Sequence, residues 1–221
     1  GCLSLREFKC VDTSNGFERD DSQFKSTRRI EWNAFQRCSN LECVDFPLAL
    51  EFIGVGAFSE CQALRDISLP DTLRHIDGRA FHGCTSLGSV QFPAMLSSIG
   101  VRSFGNCKSL LELRLPESLK RIDEGTFSDC ASLISVTFPI DLEIIGEKAF
   151  YGCESLRTIN FPDSLKYIEE CAFAFCISLY SVDFPAGLEV IGPSAFYRCQ
   201  SLRQAKFQDS ATEIGVSAFE G

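Results

Sequence analysis

Hydrophobic and polar positions recur along this chain with a period of 23 residues. Counted from a leading leucine, a typical unit contains an isoleucine or valine, a Phe-Pro pair, a second leucine, Ile-Gly, Ala-Phe and a cysteine, and the eighth unit departs from this pattern at Gln208 and Ala211. A fixed period of this length is typical of repeat proteins, whose units bury their apolar faces by stacking on one another. Eight units follow without insertion, and they begin at Leu41, Leu64, Leu87, Leu110, Leu133, Leu156, Leu179 and Leu202.

The first half of each unit predicts two extended segments. Val136 and Phe138 alternate with polar neighbours, and Pro139 ends the run because it lacks the backbone N–H that a sheet requires. Leu142 and Ile145 predict a second extended or turn-like segment in the same unit. Stacked units of this kind predict a repeat solenoid, a right-handed superhelix of 23-residue coils with parallel strands on one face.

The second half of each unit predicts a bend and then a turn on the other face. Gly146 permits the bend, and Asp77, Asp123 and Glu169 take its place in other units. The Ala-Phe pair and the cysteine three residues later have the spacing of a short turn or a 3₁₀ segment. The phenylalanine is bulkier than the strand side requires, so we expect it inside the coil and expect the array to curve toward its strands.

The chain before the first regular unit predicts an irregular repeat. Ile30, Phe35 and Cys38 match the back half of a unit, and Leu5 and Phe8 match the front half. The polar, charge-rich insertion between them predicts a surface loop. We therefore predict a single domain over residues 1–221, with eight regular repeats from 41 to 221 and an irregular repeat over 1–40.

Two segments, "LISVTFPIDLEIIGEKAFYGCESL" and "LYSVDFPAGLEVIGPSAFYRCQSL", resemble the BspA-like leucine-rich repeat family, also called the Treponema pallidum type. The Ile-Gly-x-x-Ala-Phe-x-x-Cys signature carries the resemblance, which extends from Leu41 to Phe219. It implies a leucine-rich-repeat arc used for protein binding, often on bacterial or protozoan cell surfaces as an adhesin. It implies no catalytic activity.

Most cysteines share one position of the repeat. Free cysteine is among the most buried residue types, so we interpret this cysteine row as small interior side chains. Disulfides between neighbouring coils are the alternative, although stacked coils would hold the side chains parallel. We expect Cys10 to lie in the core, and Cys43 and Cys171 to be exposed, reactive thiols. The cysteine row consists of Cys2, Cys38, Cys61, Cys84, Cys107, Cys130, Cys153, Cys176 and Cys199.

Candidate catalytic and metal-binding groups are few. His75 and His82 are the only histidines, and both occupy variable positions that we expect to face solvent. Cys84 lies two residues from His82, but it belongs to the cysteine row, and the geometry of a catalytic pair is not set by proximity in sequence. Paired Cys-x-x-Cys spacings and clustered histidines, which zinc sites need, do not occur. We predict a protein that is not an enzyme and that has no cofactor or metal.

Charge and hydropathy limit the partners. The net charge of −9 and the pI of about 4.8 argue against nucleic acid, which needs a basic face. The sequence contains no apolar run long enough to span a membrane and no leader pattern at its start. The resemblance implies a cell-surface or secreted protein. A cytoplasmic scaffold, in which reduced cysteines are natural, and a spacer in a longer surface array are the alternatives.

The strand face is the candidate binding site, because variable residues alternate there with core residues. The residues two and four places after each leading leucine should point outward, and they are mostly short polar side chains. Such a broad row suits a protein partner, whose identity the sequence does not indicate. The predicted strand face consists of Asp45, Asp66, Ser68, Ser89, Gln91, Glu112, Arg114, Ser135, Thr137, Thr158, Asn160, Ser181, Asp183, Gln204 and Lys206.

A second candidate patch lies on the predicted turns. Tyr151, Phe175 and Tyr197 share one position or its neighbour in three units, and Tyr167 and Tyr180 lie in the same C-terminal half. Exposed aromatic side chains are enriched at binding hot spots. A flanking segment that covers these rings is the alternative interpretation.

Overall fold

The computed structural model describes residues 26–208 and 212–221, together with the backbone of residues 7–8. Every complete coil in these ranges contains a first strand, a second strand and a series of turns. Over the same ranges there is no helix, and so none that could cross a membrane. The predicted repeat solenoid is confirmed, and the back of each coil consists of turns and not of 3₁₀ segments.

The strands form two series of parallel pairs along the stack. The first strands are β1 (Glu7–Phe8), β3 (Cys43–Val44), β5 (Asp66–Ser68), β7 (Ser89–Gln91), β9 (Glu112–Arg114), β11 (Ser135–Thr137), β13 (Thr158–Asn160), β15 (Ser181–Phe184) and β17 (Gln204–Phe207). The second strands are β2 (Arg29–Ile30), β4 (Phe52–Ile53), β6 (His75–Ile76), β8 (Ser98–Ile99), β10 (Arg121–Ile122), β12 (Ile144–Ile145), β14 (Tyr167–Ile168), β16 (Val190–Ile191) and β18 (Glu213–Ile214).

The register between coils follows the sequence repeat. In the first-strand series Val136 pairs with Leu113, and in the second-strand series Ile145 pairs with Ile122. Each of these pairs joins equivalent positions of neighbouring units. Equivalent side chains therefore lie over one another along the stack, and the second extended segment predicted from the sequence is a short strand.

The phenylalanine of each Ala-Phe pair lies inside the coil, as predicted. Successive rings of this phenylalanine row are stacked, with centroids 5.2 Å apart between Phe150 and Phe173 and an interplanar angle of 5°. Phe138, directly after the first strand of its coil, meets Phe150 edge on at 5.8 Å. The row is fully buried at Phe58, Phe81, Phe104, Phe127, Phe150, Phe173 and Phe196. The curvature expected from it stays a prediction.

Backbone amides on the turn side alternate between two kinds of partner. The amide of Phe150 donates to the carbonyl oxygen of Ala172 in the next coil at 2.8 Å. The preceding amide, of Ala149, donates within its own turn to the carbonyl oxygen of Gly146 at 3.1 Å. The turns thus form a third hydrogen-bonded connection between coils, beside the two strand series.

Two residues of each turn adopt the left-handed backbone conformation, with positive φ. In the coil that starts at Leu133 they are Lys148, with φ of 54°, and Gly152, with φ of 69°. Glycine is suited to such positions, yet Phe175 also adopts a φ of 63°. Sequence analysis missed these positions, because lysine or phenylalanine gives no signal for positive φ.

The glycine after the second strand has a different role from the predicted one. The φ of Gly146 lies outside the left-handed range, but a Cβ there would lie 2.6 Å from the carbonyl oxygen of Ile122. The glycine therefore allows close approach of two coils, and the explanation by a bend was wrong. Asp123 and Glu169 occupy the same position in the coils on either side, so glycine and carboxylate alternate here.

The described members of the cysteine row are buried, as predicted, and their thiols are also hydrogen-bond donors. Cys130 Sγ donates to the carbonyl oxygen of Phe104 in the preceding coil at 3.3 Å, and that oxygen also accepts from the amide of Cys107. The structure contains ten described cysteines, all free. Cys2 and Cys10 lie outside the described residues. The thiol therefore satisfies a buried carbonyl, a role that the interpretation as an apolar side chain missed.

Candidate protein-binding face

The residues predicted for the strand face lie on one surface. Thirteen of the fifteen are exposed, and Ser135 and Ser181 are half-buried. The parallel register places Thr158, Ser181 and Gln204 side by side on three successive coils. Side chains far apart in sequence thereby become neighbours on the surface formed by the first-strand series.

Polar contacts on the strand face run from coil to coil. Ser89 Oγ donates to Asp66 Oδ1 at 2.9 Å, and Lys206 Nζ lies 3.6 Å from Asp183 Oδ2. Both contacts are solvent-exposed, so each contributes well under about 1 kcal/mol to folding. Their effect is to orient side chains that a partner would meet.

A row of exposed residues borders the strand face, and sequence analysis missed it. Each member directly follows a leading leucine, and the large apolar members Leu111, Ile134 and Tyr180 are 49%, 38% and 55% exposed. An apolar residue beside a core leucine gave no sign of exposure; the available signal was the change of residue type at this position from unit to unit. This rim row consists of Glu42, Arg65, Gly88, Leu111, Ile134, Arg157, Tyr180 and Arg203.

The strand face with its rim row changes charge along the stack. Its first four regular coils carry the carboxylates of Glu42, Asp45, Asp66 and Glu112 against the guanidinium groups of Arg65 and Arg114. Its last four carry Arg157, Arg203 and Lys206 against Asp183. In a protein with a net charge of −9, the second half of this surface is an area of excess positive charge.

A depression of about 340 Å³ adjoins the strand face where β7 and β9 end. Phe92 and Pro116 line it, with Gln91 and Arg114 at the side of the face. It opens to solvent, and such a shallow apolar recess can receive one side chain of a protein partner.

The structure brings together part of the second candidate patch. The ring of Phe175 lies 5.2 Å from that of Tyr151 and 5.6 Å from that of Tyr197. Tyr180 belongs instead to the rim row, and the hydroxyl of Tyr167 donates to Glu189 at 2.6 Å. The predicted turn patch is therefore a cluster of three half-buried rings.

The residues considered for catalysis do not form a site. His75 is exposed, but His82 is only half-exposed and its Nδ1 is buried, so the expectation that both face solvent was wrong for His82. Burial, reinforced by Arg79, lowers the pKa of His82. Cys84 Sγ donates to the carbonyl oxygen of Phe58 at 3.2 Å, and burial raises its pKa well above the ordinary value.

The two cysteines outside the row are less accessible than predicted. Cys43 and Cys171 are both half-buried. Burial raises the pKa of Cys171, and the nearby carboxylate of Glu170 raises it further. The higher pKa lowers the fraction of Cys171 that is present as the reactive thiolate. Both cysteines are more accessible than the cysteine row, as expected, but neither is fully exposed, and the reactivity of Cys43 stays a prediction. Among the described residues, three metal-ligating side chains do not come together anywhere.

Comparison with known proteins identifies relatives. The BspA type leucine rich repeat region matches residues 21–134 and 121–221, in six copies. A leucine rich repeat protein of T. pallidum is 33% identical, with 79% of this chain and 78% of that chain covered and a TM-score of 0.69. A leucine-rich repeat protein from Bacteroides ovatus is 26% identical, with 100% and 77% covered and a TM-score of 0.56. Among curated proteins, none matches.

Proposed function

Since the chain belongs to the BspA type leucine-rich repeat family, we propose that it is a non-enzymatic module that binds a protein partner through the strand face and rim row. One observation carries the proposal. The interior rows repeat the same residue type from coil to coil, whereas the exposed surface changes residue type at each coil. A broad surface built from many parallel coils suits another protein better than a small molecule.

We propose a cell-surface or secreted setting, with an adhesin-like role, and the resemblance to the family supports it. An intracellular scaffold and a spacer in a longer array are the alternatives. The absence of disulfides among the described cysteines does not distinguish the surface setting from these alternatives, because the fold itself encloses the described thiols of the cysteine row. Antibody labelling of intact cells separates them: labelling before permeabilisation supports the surface setting, and labelling only afterwards supports the scaffold.

A comparison of two double variants tests the binding face. Peptide ligands are first selected on the native protein from a displayed random library. Gln91→Arg with Asn160→Arg changes the strand face, whereas Gln62→Arg with Gln200→Arg makes the same change at exposed positions on the turns. We expect the strand-face variant to weaken binding by about tenfold or more and the turn variant to leave it unchanged.

Two outcomes contradict the proposal. Equal weakening by both double variants means that the ligands do not use the strand face. Failure to enrich any ligand over several rounds of selection supports the spacer, which has no partner to bind.

A further inference from the structure

Three side chains of the rim row lie side by side near its C-terminal end. The amide of Tyr180 donates to the carbonyl oxygen of Arg157 at 3.1 Å, and the amide of Arg203 donates to that of Tyr180 at 2.9 Å. All three residues are exposed. The coil that carries the phenol side chain therefore lies between the two coils that carry the guanidinium groups. Tyr and Arg are among the residue types most enriched at binding hot spots.

The two arginines lack the ion pairs that several other arginines of the protein make. In the part of the chain that the structure describes, neither Arg157 nor Arg203 pairs with a carboxylate, although the sequence contains 30 acidic and 21 basic residues. Three other arginines pair with carboxylates in neighbouring coils, at 2.7 Å for Arg28–Glu51, 3.0 Å for Arg37–Glu60 and 2.8 Å for Arg102–Glu124. Two unpaired guanidinium groups, two coils apart on an acidic protein, are available to an external anion.

The rim row continues from these arginines into apolar residues. Ile134 lies one coil before Arg157, and Leu111 lies one coil before Ile134, with 38% and 49% of their surfaces exposed. A ligand that follows the row therefore meets two positive charges and then two aliphatic side chains. A sulfated polysaccharide would satisfy the charges but has nothing for the aliphatic end, so the surface favours a protein segment.

We propose that this half of the rim row binds an extended acidic segment of the protein partner, running along the stack. The inference rests on the proposed function and specifies its partner. Arg157 and Arg203 are two coils apart, or about 10 Å at the usual strand spacing, and three residues of an extended polyproline II chain span roughly this distance with the first and fourth side chains on the same side. The segment thus carries two carboxylates three residues apart, each held by a guanidinium group, with an apolar residue beyond them over Ile134 and Leu111.

Fluorescence anisotropy with defined peptides tests the inference on the whole chain. The probe is a labelled peptide with two glutamates three residues apart and two leucines beyond them, and the comparison peptide has lysines in place of the glutamates. We expect Arg157→Glu with Arg203→Glu to weaken binding of the acidic probe by about tenfold or more. Lys120→Glu with Lys166→Glu is the matched control, because it reverses two exposed cations that are likewise two coils apart but lie outside the strand face and rim row, and it should leave binding within about twofold.

Several results overturn the inference. Equal weakening by the two double variants would mean nonspecific attraction of an anion. Absence of binding at about 1 mM acidic probe, or tighter binding of the lysine peptide, excludes an acidic partner segment. Heparin fragments that bind in an Arg157- and Arg203-dependent manner, where the acidic peptide does not, assign the site to a polysaccharide. Each of these leaves the proposed function standing as long as library ligands remain sensitive to the Gln91 and Asn160 substitutions.

Discussion

The interior rows and the strand face obey opposite rules. Phe127, Phe150 and Phe173 occupy one position in successive coils, and each ring packs against the equivalent ring above and below. At the strand face the corresponding sequence of residues is Arg114, Thr137 and Asn160. An interior residue packs against the equivalent residue in the coil before it and in the coil after it, so a substitution in one coil disturbs the packing of three coils. An exposed residue faces solvent, and its type can change from coil to coil without disturbing the interior.

Alkaline pH should produce the largest effect, because it acts on the whole cysteine row at once. Burial raises the pKa of Cys130 and of Cys199 from 9.0 to about 12, and it raises four further thiols of the row well above 9.0. Above pH 9 the unfolded chain loses these protons while the folded protein keeps them, so stability falls as pH rises. Each thiol contributes about 1.4 kcal/mol per pH unit, and urea denaturation between about pH 8 and 10 measures the sum.

The same titration has a matched control among the cysteines. Cys130→Ala with Cys153→Ala removes two of these six buried thiols and should remove about one third of the pH dependence that the six contribute. Cys171→Ser removes one half-buried thiol outside the row and should change the slope least. A free energy of unfolding that stays constant up to about pH 10 would show that the row is not closed to ionisation.

Removal of one ring from the phenylalanine row should produce the next largest effect. Phe150→Ala leaves a cavity between Phe127 and Phe173, and it also removes the edge contact with Phe138, so we expect a loss of about 3 to 5 kcal/mol. Chemical denaturation measures it. A loss below about 1 kcal/mol would mean that neighbouring coils move in to close the cavity, which the strand and turn hydrogen bonds oppose.

Addition of a single methyl group to the coil interface should have an intermediate effect. In Gly146→Ala the new Cβ would lie 2.6 Å from the carbonyl oxygen of Ile122, so two coils must separate and about 1 to 3 kcal/mol is lost. Asp123→Ala, at the same position one coil earlier, is the control. The coil already accommodates the Cβ of Asp123, so this substitution should cost less than about 1 kcal/mol, through loss of the exposed ion pair with Arg121. A greater loss from Asp123→Ala would refute the close-approach explanation.

Gly146 also shows what the sequence could not predict. Repetition of a residue type shows that a position matters, and that was enough to place Phe150 inside the coil and to predict parallel stacking. It does not show which atoms the residue touches, and so the glycine was assigned to a bend. The left-handed backbone at Lys148 and Phe175 was missed for a related reason, since their side chains are unremarkable for a surface turn.

The candidate site was predicted in the same uneven way. Alternation along the first strands correctly gave the exposed positions of residues such as Asp66 and Thr158. The rim row was missed because Leu111 and Ile134 each follow a core leucine and look apolar enough to join it. Their exposure results from the path of the chain as it enters the first strand, and that path depends on hydrogen bonds between coils, such as Ile134 N–H to Leu111 C=O at 2.8 Å.

The smallest effect that we expect is a gain in stability, from a substitution at an interior position where one coil does not carry the usual residue type. Ser103 occupies a position that is alanine in most coils; it is fully buried, and within the described structure its Oγ has no hydrogen-bond partner. Ser103→Ala removes this unsatisfied hydroxyl and should stabilise the protein by about 1 kcal/mol. Ser135→Ala makes the same chemical change on the strand face, where water reaches the hydroxyl, and should change stability by less than about 0.5 kcal/mol. Thermal denaturation of the two variants side by side measures the difference, and a destabilised Ser103→Ala protein would mean that this hydroxyl has a partner in solution.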